Sequence, residues 1–175
     1  TSCVEVSVGG HRVILDGGTG LRQLGDSLRG QSDITAHIFF SHLHWDHIQG
    51  VPFFGPAFEK GHTFHLHAGR RDGRTLESAL IGQMSFPYFP VRFSKIESTL
   101  TFHDLSVREA AHLDGGVSVY GVDGFHPDGV FAWRIEHRGH VLVYATDTEP
   151  SPESDARIAA LAQGADVLIH DAQYT

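Results

Sequence analysis

The sequence predicts an α/β protein in which two β-sheets are covered by helices, an αββα sandwich. Three observations carry this expectation. Short apolar runs, alternating or continuous, recur along the whole 175-residue chain, as strands do. Helical spacing is confined to a few stretches, near residues 21–28, 75–84 and 152–162. The polar clusters fall directly after apolar runs, which puts loops with chemical potential at the ends of strands.

In order, Cys3 to Val8 alternates and Arg12 to Leu15 is apolar, with Gly9-Gly10 between them as a hairpin turn. Asp16-Gly17-Gly18-Thr19-Gly20 then allows a tight turn or a close backbone approach. Leu21, Leu24, Gly25 and Leu28 share one helical face, so a short helix follows. A strand is expected over Thr35–Phe40, a proline-containing loop with a helical turn over 50–60, and a strand over Thr63–Ala68. Thr75 is placed to cap a helix running to about Met84. The prolines in Ser85-Phe86-Pro87-Tyr88-Phe89-Pro90-Val91 forbid regular helix. The second half reads as strands over 107–111, 117–122, 130–137 and 140–145. A helix over 152–162 starts with Ser151 as cap and Pro152 at its first position. A last buried strand covers Asp166–His170.

A single domain over residues 1–175 is expected, long enough for a proper core. Hydrophobic content of 41% and charged content of 19% are ordinary for a soluble globular protein. No apolar run approaches a membrane span, and no signal-peptide pattern is seen. The net charge of −8 argues against a broad electrostatic grip on nucleic acid. One cysteine, Cys3, excludes an internal disulfide, fits a reducing cytoplasm, and reads as a small apolar residue of the first strand. There are fourteen histidines. Of these His62, His65, His67, His112, His137 and His140 read as surface or strand residues.

The strongest chemical signal is Ser41-His42-Leu43-His44-Trp45-Asp46-His47, which follows the apolar run ending at Phe40. His42 and His44 are two apart, so in an extended segment they project to one side and can grip one ion. Asp46 and His47 follow where the chain turns and can reach a second ion. Imidazole with carboxylate suits Zn2+, Mn2+ or Fe. His126, in Gly124-Phe125-His126-Pro127, and Asp147, just past a strand end, are further candidate ligands. A lone loop histidine is more often solvated, and Asp147 alone could equally cap a helix. Their weight comes from their order after the seven-residue cluster.

The pattern His42-x-His44-x-Asp46-His47, then His126, then Asp147 resembles the signature of the metallo-β-lactamase superfamily, and Asp16-Gly17 resembles that family's early turn. The resemblance covers the whole chain and implies two divalent ions. It assigns His42, His44 and His126 to one, Asp46 and His47 to the other, and Asp147 to both. It makes Asp16 a residue that orients the ligand loop. Residues 84–91 and 166–175 are similar to segments of the phosphodiesterase-like branch, which holds RNase Z and cyclic-phosphate and cyclic-nucleotide phosphodiesterases. There Asp171 matches an acidic residue supporting a catalytic histidine further on; a strand-end cap is the equal alternative. That pattern's last ligand histidine has no counterpart up to Thr175, and its first strand would precede Thr1. The sequence is therefore expected to be a core fragment of a longer chain; a ligand from a neighbouring chain, or a single well-held ion, are the alternatives.

The resemblance implies hydrolysis by a metal-bridging hydroxide, with Asp46 and Asp147 in the catalytic machinery. The favoured substrate is a small phosphodiester, a cyclic nucleotide or cyclic phosphate, rather than nucleic acid or a membrane. An RNase Z-like endonuclease, a thioester or lactone hydrolase, and a non-catalytic metal- or ligand-sensing domain are the competing readings. Phe86, Tyr88 and Phe89 read as an aromatic wall for a base or sugar or, equally, as core packing or a lid on the helix before them. Arg70, Arg71 and Arg74 read as a solvated turn, Trp133 as core, and Trp45 as packing beneath the ions. A homodimer is compatible with an exposed sheet edge.

Overall fold

In the computed structural model, which describes residues 1–70 and 73–172, the strands fall into two five-stranded mixed sheets. Two units result, one of Thr1–Ser7 with His11–Asp104, the other of Val8–Gly10 with Leu105–Thr175. Arg71 and residues 173–175 lie outside the described residues.

The first unit is built on β1 (Val4–Val8) and β2 (His11–Leu15), joined through Gly9 and Gly10 at φ 57° and 85°. Helix α1 (Thr19–Ser27) follows, then β3 (Thr35–Phe40), the short helix α2 (Trp45–Ile48) and two turns of 3-10 helix over 51–53 and 55–58. Strand β4 (Thr63–Gly69), helix α3 (Leu76–Gln83) and β5 (Thr99–Leu105) complete the unit. The sheet order is β1-β2-β3-β4-β5, and β3 lies parallel to both neighbours, with Ile38 opposite Ile14 and Leu66. Alternate residues Ile14, Ala36, Ile38, Phe40, Phe64 and Leu66 join Leu21, Leu76 and Leu80 in one core. Burial of that apolar stripe, rather than local propensity, holds the short helices in place. Thr75 caps α3 as expected, its hydroxyl taking the Ser78 N–H while the Ser78 hydroxyl takes the Thr75 N–H, each at 3.2 Å. Cys3 packs partly buried against this core, and burial first, then the Asp16 and Glu5 carboxylates, pushes its thiol up to about 12. Such a thiol is inert at neutral pH.

The opposite residues of the same strands carry imidazoles. His37 on β3 stacks on His65 of β4 with ring centres 4.5 Å apart, and His67 is layered between Phe39 at 4.2 Å and His103 of β5 at 4.6 Å. His37 Nδ1 and His67 Nε2 approach to 3.3 Å. Burial, then the neighbouring imidazoles, lowers His37 to about 4 and His67 to about 2, and lowers His65 as well. The His37 and His67 rings are neutral in the folded protein down to those values, whereas an unfolded histidine takes a proton near pH 6.5. Stability is therefore complete above that value and falls as pH drops. The His37 share stops growing near pH 4 and the His67 share near pH 2. At pH 5 His67 alone costs about 2 kcal/mol. Urea unfolding of chelator-treated protein at pH 7 and pH 5 should show that loss, and His67→Phe should shrink it; equal midpoints at the two pH values would refute the assignment.

The second unit comprises β6 (Ala111–Leu113), β7 (Val117–Gly124), β8 (Val130–His137), β9 (His140–Ala145), α4 (Pro152–Ala162) and β10 (Val167–His170). Its sheet order is β10-β9-β8-β7-β6, antiparallel except for β10 on β9. Val122, Ala132, Val143 and Ala145 meet Ile158 and Leu161 of α4 in its core. Arg134 ties the end of α4, donating to the carbonyls of Leu161 at 2.6 Å and Gln163 at 2.9 Å, groups that a helix end leaves without partners. Trp133 is fully buried, as expected.

Several expectations are corrected. The strand expected over 107–111 is a turn: Arg108 takes φ 63°, Glu109 N–H reaches the Ser106 carbonyl, and the Glu109 carboxylate holds the Ser106 N–H. The chain enters this turn from β5, whose Thr-Leu-Thr-Phe alternation is itself a strand pattern. β10 is an edge strand and not buried, with Val167 and Leu168 about half exposed. Ser151 occupies the cap position of α4, but its side chain makes no capping bond and turns to Glu153 instead.

Candidate metal centre

Strand β3 ends at Phe40 and hands over to Ser41–His44, which lack regular structure and end with His44 in extended backbone, after which α2 turns the chain. The residue two before α1's cap, Asp16, sits at φ 63°, a left-handed conformation that Asp tolerates better than most side chains. Its fully buried carboxylate collects three donors. Oδ1 accepts the Ser41 N–H at 2.6 Å, and Oδ2 accepts the Ser41 hydroxyl at 2.8 Å and His47 Nδ1–H at 2.7 Å.

These bonds fix where the protons are. A carboxylate only accepts, so His47 must carry its proton on Nδ1 and offers the lone pair of Nε2. The Ser41 hydroxyl hydrogen is committed to Asp16, so Ser41 Oγ accepts from His42 Nδ1–H at 3.1 Å. His42 Nε2 is then the lone-pair nitrogen, and it faces His44 Nδ1 at 3.0 Å with the two rings nearly perpendicular. Two imidazole nitrogens bound tetrahedrally to one zinc lie about 3.3 Å apart, given Zn–N bonds near 2.05 Å. The pair is thus already spaced for a single ion. The ligand atoms of His42 and His47 lie within 4.8 Å of each other, and Asp46 Oδ2 is 3.2 Å from His47 Nε2. The donor set in this unit fits a divalent cation on geometry, and His42 and His47 fit it on tautomer as well.

In the second unit, His126 lies in the turn between β7 and β8, closed by the Gly129 N–H on its carbonyl. Asp147 lies two residues past β9 at φ 54°. His126 Nε2 is 4.0 Å from Asp147 Oδ2, and His126 Nδ1 is 3.2 Å from Glu149 Oε1. Asp171 follows β10, its N–H on the Ala145 carbonyl.

Phe86 and Tyr88 stand exposed between α3 and β5, which rules out core packing for them, while half-buried Phe89 meets Phe53 edge-on at 5.5 Å. Trp45 is not beneath anything: it is 70% exposed, because the first turn of α2 points it outward while His47 and Ile48 turn in. Arg70 leans on the Asp104 carbonyl. Two participants were missed from sequence, Ser41 and Glu149. Both flank expected ligands, and a search for proton acceptors beside each histidine would have raised them.

The family described as "Beta-lactamase superfamily domain" matches residues 11–175. Among solved structures, the chain is similar to a diphosphatase from the PhnP family at 23% identity and a TM-score of 0.64, over 95% of this chain and 58% of that one. It is similar to Zn2+-bound PqqB from Methylobacterium extorquens at 18% identity and a TM-score of 0.64, over 98% of this chain and 60% of that one. It is also similar to the short form of human tRNase Z, at 16% identity and a TM-score of 0.60, over 97% and 85%. This chain spans less than two thirds of the length of the first two. No curated protein matches it in sequence. At these identities the likeness establishes the fold: two mixed sheets with helices, in the arrangement the metal-binding pattern led one to expect.

Proposed function

This chain belongs to the beta-lactamase superfamily, and from that membership and its two sets of oriented donors we propose that it is a metal-dependent hydrolase of small phosphodiesters, such as a cyclic nucleotide or cyclic phosphate. The observation that carries the reading is the proton arrangement around Asp16, which leaves His42 Nε2 and His47 Nε2 as lone-pair donors before any ion arrives.

In this proposal His42, His44, Asp46 and His47 of the first unit and His126 and Asp147 of the second are the residues that would supply ligands to divalent ions. Zn2+ and Mn2+ both suit imidazole with carboxylate, as does Fe. Bound in pairs, such ions acidify water toward neutral pH and offset charge on phosphate oxygens. The chain's own residues do the rest. Asp147 aims the attacking water, and Asp16 holds the two histidines in the ligating tautomer. Phe86 and Tyr88, exposed on an irregular segment, offer flat apolar faces to a base or sugar. Two neighbours, a diphosphatase and a tRNase, bear names that denote breaking bonds to phosphorus. A net charge of −8 favours a small substrate over RNA. Among the described residues no helix is long and apolar enough to cross a membrane.

Elemental analysis after loading with Zn2+ or Mn2+ should find two equivalents, and turnover of bis(p-nitrophenyl) phosphate should exceed that of a thioester. Asp147→Ala should remove at least one equivalent together with phosphodiester turnover. Two equivalents retained in that variant would defeat the assignment of Asp147, and thioester turnover alone would replace the substrate class. One weak equivalent without turnover would mean a sensing domain.

A further inference from the structure

We infer that Glu149 is a positioning residue that locks His126 into the tautomer and ring orientation needed for a metal ligand; the inference rests on the metal-dependent reading above. His126 could present either ring nitrogen, and free histidine favours the Nε2–H form, which has no lone pair on Nε2. Glu149 Oε1 lies 3.2 Å from His126 Nδ1. Because an ionised carboxylate only accepts, this contact places the proton on Nδ1 and turns the lone pair of Nε2 toward Asp147, whose Oδ2 is 4.0 Å away.

The backbone delivers Glu149 to that place. Its N–H donates to the Phe125 carbonyl at 2.8 Å, and the Phe125 N–H donates in turn to Ser154 Oγ at 2.9 Å. Ser154 is fully buried on α4. The turn bearing His126 is thus clipped to the loop bearing Asp147 by a main-chain bond and to α4 by the Ser154 hydroxyl, and both bonds survive any change of the Glu149 side chain. A carboxylate behind a ligating imidazole also raises its basicity, and loss of such a partner commonly weakens metal binding 10–100-fold.

The test is made on the full chain with Glu149→Ala and Glu149→Gln. In chelator-treated protein at about pH 8, long-range 1H–15N spectra should show His126 protonated on Nδ1 in the parent and in Glu149→Gln, whose amide oxygen still accepts. Glu149→Ala should move the proton to Nε2. Zn2+ or Mn2+ isotherms should weaken roughly 10–100-fold for one equivalent in Glu149→Ala and only a few-fold in Glu149→Gln, while thermal unfolding of the metal-free variants stays unchanged. An Nδ1–H tautomer persisting in Glu149→Ala, an unchanged isotherm, or a loss explained by lower unfolding temperature overturns the inference. A parent chain that takes up no divalent ion defeats the metal reading instead, and the tautomer spectra still decide whether Glu149 sets the state of His126.

Discussion

Asp16→Ala is expected to lower the free energy of unfolding of the metal-free protein by about 3–5 kcal/mol, the largest effect of any single side chain near the candidate centre. Three buried donors lose their acceptor at once: the Ser41 N–H, the Ser41 hydroxyl and His47 Nδ1–H. Each buried donor left without a partner costs about 1–3 kcal/mol, and partial relaxation keeps the sum below the maximum. Alanine must also hold φ near 63°, which costs a further ~1 kcal/mol or more. Asp16→Asn separates the two contributions. Asparagine tolerates the left-handed conformation and keeps one oxygen for Ser41, but its NH2 cannot accept from His47 Nδ1. The asparagine variant should therefore recover much of the stability and still bind metal about 10–100-fold more weakly than the parent. Urea unfolding under chelator and a Zn2+ isotherm check the two claims separately. A loss under 1 kcal/mol in the alanine variant would show that water satisfies these donors.

What the sequence made legible follows from the range over which its patterns act. β3 coincides with the expected Thr35–Phe40, because a continuous apolar run bounded by polar residues is a local signal. The Thr75 cap was equally local. The ligand cluster stood out because donors two residues apart on an extended segment need no tertiary information to face one ion. The misses depend on partners distant in sequence. Whether β10 is buried depends on what lies beside and above it, and Asp166–His170 as a string reads the same on an edge or in a core. The turn at Arg108 rests on a positive φ and a Glu109 side-chain bond that hydrophobic pattern does not encode. Trp45, inside the ligand loop, reads the same in sequence whether it points in or out, and one short helix sets its direction. Ser41 and Glu149 escaped notice since the tautomer of a histidine is decided through space by the group behind it.

Gly50→Ala gives the second large effect, and two principles predict opposite signs for it. Gly50 has φ −79° and ψ −20°, ordinary right-handed geometry in which alanine is comfortable. From the entropy of the unfolded chain alone, the substitution should stabilise the protein by about 0.4–1 kcal/mol. The surroundings decide otherwise. A Cβ on residue 50 would lie 2.0 Å from the Gly18 carbonyl oxygen and 2.8 Å from that of Gly17, both backbone atoms that no rotamer change can move aside. On the other side of the same contact, a Cβ on Gly18 would lie 2.5 Å from the Asp46 carbonyl oxygen. The turn carrying Asp16 and the loop carrying the ligands are held backbone to backbone, with the Gly50 N–H on the Gly17 carbonyl and the Gly17 N–H on the His47 carbonyl, at 2.8 and 2.7 Å. Alanine must force them apart, at a cost of about 2–3 kcal/mol. The parting also moves Asp16 from Ser41 and His47, so Gly50→Ala and Asp16→Ala damage one clasp. Their double variant should lose less stability than the sum of the two single losses, a coupling that residues sharing a hydrogen-bond network show and distant ones do not. Urea unfolding of the four chains measures it. Additive losses, or a more stable Gly50→Ala, would mean that the two loops hold the donors independently.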